Sequence, residues 1–111
     1  MTRHTLPHRR PALTAVVAFA PPGRAPASFT VTAGFDPRTG ALSEVFYSDG
    51  MKSGTDLQHT LGDACVIVSV ALQHGVPLAD LARSLGRDDD GRPASILGAL
   101  IGALVEMEGA Q

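Results

Sequence analysis

His59 and Asp63 stand four residues apart, Cys65 follows two positions on, and His74 lies eleven beyond Asp63. On a helix, two ligands at i and i+4 share a face and can hold a divalent metal. A third and fourth ligand at a recognisable spacing are missing. His74 falls at a helix end, where the dipole favours an imidazolium for purely structural reasons. Asp88-Asp89-Asp90-Gly91 has the acidity of a calcium loop, but such loops need acids at alternate positions and a bidentate Glu further on. Here Arg92-Pro93 interrupts the pattern, and a solvated loop is the expectation. Cys65 sits inside an apolar run, where a thiol behaves as a small inert hydrophobe. Glu44 lies between Leu42 and Phe46, and strict alternation puts all three on one strand face. If that face is buried the carboxylate needs a partner, and Lys52 is the nearest in sequence. A general base would also need a cleft and a second catalytic group. No glycine-rich phosphate cradle and no Ser/His/Asp set is visible. The sequence therefore assigns no catalytic, cofactor-binding or metal-ligating residue, and a non-catalytic protein is the expectation.

The chain has 111 residues, 44% hydrophobic and 18% charged, which is the composition of a folded domain. That length suits one domain, with residues 1–11 as a basic lead-in and 12–108 as the folded unit. One cysteine excludes an internal disulfide framework and any zinc site built on several thiolates. The formal charge of −2 does not describe a general polyanion binder. The basic residues are nonetheless concentrated early: Arg3, Arg9, Arg10 and Arg24 precede the first acid. A short arm of this kind can touch phosphates with salt-sensitive affinity, or be a solvated tail. Arg9-Arg10, the apolar run Ala12 to Ala20 and Ala25-Pro26-Ala27 also imitate an export signal, although the nine-residue run alternates like a strand. No stretch approaches the ~18 apolar residues that span a bilayer, and a cytoplasmic protein is the default expectation.

The elements that must carry these residues follow from periodicity. Leu13 to Ala20 forms a first strand, and Pro21-Pro22-Gly23-Arg24-Ala25-Pro26 a loop. Phe29, Val31, Ala33 and Phe35 then alternate with Ser28, Thr30, Thr32 and Gly34, giving one apolar and one polar face. Asp36-Pro37-Arg38-Thr39-Gly40 is a turn, with glycine in the left-handed position. A third strand runs from Ala41 to about Ser48, and three sequential strands with short connections make an antiparallel meander.

After Gly50 the period becomes helical. Thr55 with Gln58 fits a capping box, with Asp56 at the helix start. From Ala64 to Leu72 the helix is apolar nearly all round, broken only by Ser69, as expected of a helix buried on several sides. One small sheet and two short helices offer little to cover it, so self-association is expected. Gly75 closes this helix and Pro77 starts the next, whose apolar stripe is Leu78, Leu81, Ala82 and Leu85. A last helix begins near Ser95, and Gly98 with Gly102 leaves a groove for the close approach of another helix. Gln73 to Gly86 has the cadence of a helix-turn-helix, but three aspartates and an apolar helix without Lys or Arg follow where a recognition helix should be. The expected fold is α+β: a three-stranded antiparallel sheet packed by a long central helix and two shorter C-terminal ones.

Leu42-Ser43-Glu44-Val45-Phe46, Lys52-Ser53-Gly54 and Ser69-Val70-Ala71-Leu72-Gln73-His74-Gly75-Val76-Pro77-Leu78, taken together over residues 28–104, resemble the TSCPD domain family. That family includes the C-terminal domain of cobalamin-dependent (class II) ribonucleotide reductases and small free-standing proteins. The resemblance marks Glu44, Phe46, Lys52, Gly54, His74, Gly75 and Pro77 as motif or interaction residues. The Thr-Ser-Cys-Pro-Asp string that names the family is absent, so no thiol or metal role carries over. Reductase activity does not carry over either, since it needs several cysteines and a large barrel. The first reading is a non-catalytic module, related by this resemblance to the reductases' accessory domain, that associates with itself as a homodimer, as the apolar helix and the Gly98/Gly102 groove suggest, or with a reductase-like protein, without cofactor and without membrane. The alternative is a nucleic-acid accessory protein that uses Arg3, Arg9 and Arg10, with the polar face of Thr30 and Thr32 and with Lys52. A third reading is a nucleotide-sensing or small enzymatic domain around Glu44, Lys52 and His74.

Overall fold

A computed structural model describes residues 11–21, 23, 26–48 and 56–109. Lys52, Gly54, Arg3, Arg9, Arg10 and the Thr55 cap lie outside the described residues. The element order is β1 (Ala12–Phe19), β2 (Ala27–Phe35), β3 (Leu42–Ser48), α1 (Asp56–Gln73), α2 (Leu78–Ser84) and α3 (Ile96–Gly109). The sheet order is β1-β2-β3, antiparallel throughout. This is the α+β meander with a long first helix that the periodicity predicts.

The β2–β3 turn is built as its residues dictate. Asp36 Oδ1 accepts the backbone N–H of Arg38 at 2.9 Å, and Gly40, at φ +77°, donates to the Asp36 carbonyl at 2.7 Å. The Arg38 guanidinium then bonds both oxygens of the buried Asp36 carboxylate at 3.0 Å. That hydrogen bond and the Asp36 charge raise the Arg38 pKa.

One face of the sheet is the core. Phe29, Val31, Ala33 and Phe35 of β2 meet Val17 and Phe19 of β1 and Val45 of β3. The α3 helix covers this face over β1 and β2 through Leu100, Ile101 and Leu104, each essentially fully buried, while α1 lies along β3. Ser95 caps α3, its Oγ accepting the Gly98 N–H at 3.0 Å. Between α1 and α2 the chain turns through Gly75 at φ +90°. There Val76 N–H reaches Ala71 O and Gly75 N–H reaches Leu72 O, both at 3.0 Å. This double bond pattern is a Schellman close.

Three expectations change. The β2–β3 register shifts at Gly34/Phe35, so Leu42 pairs with Phe35 and is buried, while Glu44 pairs with Gly34 and Phe46 with Thr32. Leu42 and Phe46, expected on one face, are therefore on opposite faces. The Gly98 side of the α3 groove is closed by a loop and not by a helix: a Cβ there would stand 3.1 Å from Pro93 Cβ, whereas Gly102 opens on empty space. The apolar α1 run is buried on one side only, at Leu61, Cys65, Val68 and Gln73, leaving Val66 and Ile67 in solvent.

The packing gives a direct stability test. Leu104→Ala removes a fully buried side chain and is expected to cost about 2–5 kcal/mol in urea unfolding. Val105→Ala, at the neighbouring half-exposed position, is expected to cost under about 1 kcal/mol. Equal costs at the two positions would contradict this placement of α3.

Candidate functional site

Among the described residues, the outer edge of β3 carries N–H and C=O groups that no fourth strand satisfies, and α1 supplies partners through side chains. Ser69 Oγ accepts the Val45 N–H at 2.9 Å and gives its own hydrogen to the Cys65 carbonyl at 2.8 Å, with Val45 O at 3.4 Å beside it. One turn later the Gln73 amide, nearly fully buried, donates to Ser43 O at 3.0 Å. The spacing explains the match: i and i+4 on a helix advance about 6 Å, close to the two-residue step along a strand. Sequence reasoning left both out of the candidate residues. The available signal was Ser69, the lone hydroxyl in an otherwise apolar run, with an amide four residues on.

This clamp turns Leu61, Cys65 and Val68 inward and leaves the opposite side of α1 facing out. His59, Asp63, Val66 and Ile67 are exposed there, with Val70 and His74 partly covered. Val66 and Ile67 keep 61% and 69% of their surface in water, and Leu57 keeps 54%. The outer face of the sheet continues this surface. Thr14, Thr32 and Phe46 form one row across it, Thr14 and Thr32 joined by their hydroxyls at 3.1 Å. Phe46 is 53% exposed, and Val16 in the next row 75%. Phe46, Val66, Val70 and Glu44 line a shared cleft of about 270 Å³ between β3 and α1. Exposed apolar residues gathered on neighbouring elements mark association surfaces.

The residues marked by sequence fall into three groups. Glu44 and Phe46 stand on the open sheet face beside α1. His74, Gly75 and Pro77 belong to the α1–α2 turn, where Gly75 supplies the left-handed conformation and Pro77, extended at φ −66°, precedes α2. The roles of Gly75 and Pro77 there are conformational. Lys52 and Gly54, with the arm residues Arg3, Arg9 and Arg10, lie outside the described residues.

The remaining chemistry is quiet. Burial raises the Cys65 thiol from 9.0 to about 11. Asp88 and Asp90, after α2, are engaged in their own turn: Asp88 Oδ1 accepts the N–H groups of Asp90 and Arg92 at 2.9 and 3.0 Å, and Arg92 bonds Asp90 at 2.7 Å. Among the described residues, no three His, Cys, Asp or Glu side chains converge as a metal site, and no helix is long and apolar enough to cross a membrane. A cavity of about 450 Å³ lies between β1, the 88–93 loop and the Gly102 side of α3. Its lining is mainly apolar, with Asp88, Arg92 and Glu106 at its polar points.

The thiol makes pH-linked stability testable. The folded state holds the Cys65 proton while the unfolded state releases it above pH 9.0, so stability must fall as pH rises from 9.0 towards about 11. Cys65→Ser should flatten that decline in a series of thermal melts, whereas an unchanged slope would contradict the burial. For the clamp, Ser69→Ala should cost about 1–3 kcal/mol. It should also accelerate hydrogen exchange at the Val45 amide ahead of the amides paired between β1 and β2. Uniform acceleration across the sheet would deny Ser69 its local role.

The model of the TSCPD domain family matches residues 4–108. This is wider than the stretch from 28 to 104 that carries the resemblance by motif. Neither the curated proteins nor the solved structures compared with the chain include a match.

Proposed function

The chain belongs to the TSCPD domain family, and from that premise we propose that it is a non-catalytic association module that pairs with a second copy of itself. It is related, on this reading, to the accessory domain at the C-terminus of cobalamin-dependent ribonucleotide reductases. The observation that carries the proposal is the outward side of α1. Val66 and Ile67 lie in solvent in the middle of an 18-residue helix whose other side is held to β3 by Ser69 and Gln73. A helix with two apolar sides, packed mainly on β3 among the described elements, lowers its free energy by finding a second partner.

The chemistry of the chain supports a role without catalysis. Its single cysteine is buried with a raised pKa, whereas reductase chemistry draws on several accessible thiols. His59 and Asp63 lie along one face of α1, and His74 just beyond its end. A reductase-like protein is a second candidate partner for the same surface, since relatives of this domain are fused to such enzymes.

Light scattering on a sizing column, across concentration and with a mixed single-stranded and duplex oligonucleotide at low salt, tests the proposal. The expected result is a particle of twice the 11.5 kDa chain mass that ignores the oligonucleotide. A monomer that shifts with oligonucleotide and releases it as salt rises would overturn self-association in favour of the arginine arm.

A further inference from the structure

We propose that the second copy docks α1 against α1 antiparallel, on a two-fold axis between positions 68 and 69. The central contacts are then Ile67 against the partner's Val70, flanked by Asp63 against the partner's His74. This rests on the self-association reading and adds the register. Asp63, Ile67, Val70 and His74 are spaced four, three and four residues apart. That is the alternation that keeps a single stripe facing a partner helix. The residues on the other side of α1, Leu61, Cys65 and Val68, belong to the interior, and Ser69 is bonded to β3. The helix therefore carries two separate stripes, and among the described residues the outer one lacks a cover.

The outer stripe is self-complementary. Ile67 and Val70 are equidistant from the axis, and so are Asp63 and His74. One antiparallel placement thus aligns both layers at once and repeats them by symmetry, as a two-fold interface requires. Each carboxylate then faces an imidazole, an arrangement that favours pairing over a like-charged one. His74 holds its place because the helical turn continues past Gln73, with its N–H shared between the Val70 and Ala71 carbonyls at 3.1 Å. Val66 and Phe46 adjoin the stripe through the cleft between α1 and β3. The apolar contact thereby widens towards the open sheet face. A parallel pairing on the same stripe would set Asp63 against Asp63 and leave both histidines unmatched.

The test is the dimer dissociation constant of the full chain by analytical ultracentrifugation, for Ile67→Asp, Asp63→Lys, His74→Glu and the double variant Asp63→Lys/His74→Glu. Circular dichroism confirms the fold of each, since all three positions lie off the core. Ile67→Asp is expected to leave a folded monomer. Each single charge variant should weaken pairing about tenfold or more, and the double variant should recover most of that loss. A parent chain that stays monomeric at all concentrations overturns the association reading and this register with it. A dimer indifferent to Ile67→Asp leaves association standing and overturns the α1 interface. Loss on Ile67→Asp without recovery in the double variant keeps the face and overturns the register.

Discussion

The edge of β3 is the constraint on which the rest of the arrangement turns. A three-stranded sheet has two edges, and exposed edge groups are a liability unless something satisfies or covers them. Here the cover is a helix that offers a hydroxyl and an amide one turn apart, bonded to Val45 and Ser43. These bonds fix the rotation of α1 about its own axis. Once Ser69 and Gln73 face the strand, Leu61, Cys65 and Val68 must enter the interior and Val66 and Ile67 must leave it. The exposed apolar side of α1 is thus a by-product of how the sheet edge is closed.

The bulge at Gly34/Phe35 cooperates with this geometry. By offsetting β3 it buries Leu42 against the core and puts Glu44 and Phe46 on the open face, next to the side of α1 that also faces out. The two elements therefore present their uncovered apolar residues to the same region. Tyr47, on the opposite face from Phe46, packs its ring against Phe29 at 5.5 Å, holding the end of β3 to β2.

Most of the fold was legible because its signals are local. Alternation at Phe29–Phe35, the Asp36–Gly40 turn, Ser95 before α3 and Gly75 after α1 each specify backbone within a few residues, and each appears as expected. What was illegible is relational. A register shift leaves no mark in composition, so Leu42 and Phe46 read as neighbours on one face. Hydropathy reports that α1 is apolar all round but not which side finds a cover, because that depends on bonds to a strand 24 and 30 residues earlier. Gly98 carried a genuine packing signal, and its neighbour proved to be Pro93. Ser69 was visible as an interruption, yet its meaning needed the strand edge in view.

The order in which the elements touch has a kinetic meaning. The strands β1, β2, β3 and α1 pack in chain order, and α2 packs on α3, so most contacts join neighbours along the chain. The exceptions include α3 on β1 and on β2, the former closing a loop from Phe19 to Ile96 and sealing the core at Leu100 and Leu104. Loop closure makes that an entropically costly contact, and it is expected to form late in folding. Until it forms, the nascent chain shows the inner sheet face as well as the outer side of α1. Two apolar surfaces are then open together, and the docking of α3 is the step that separates assembly from aggregation.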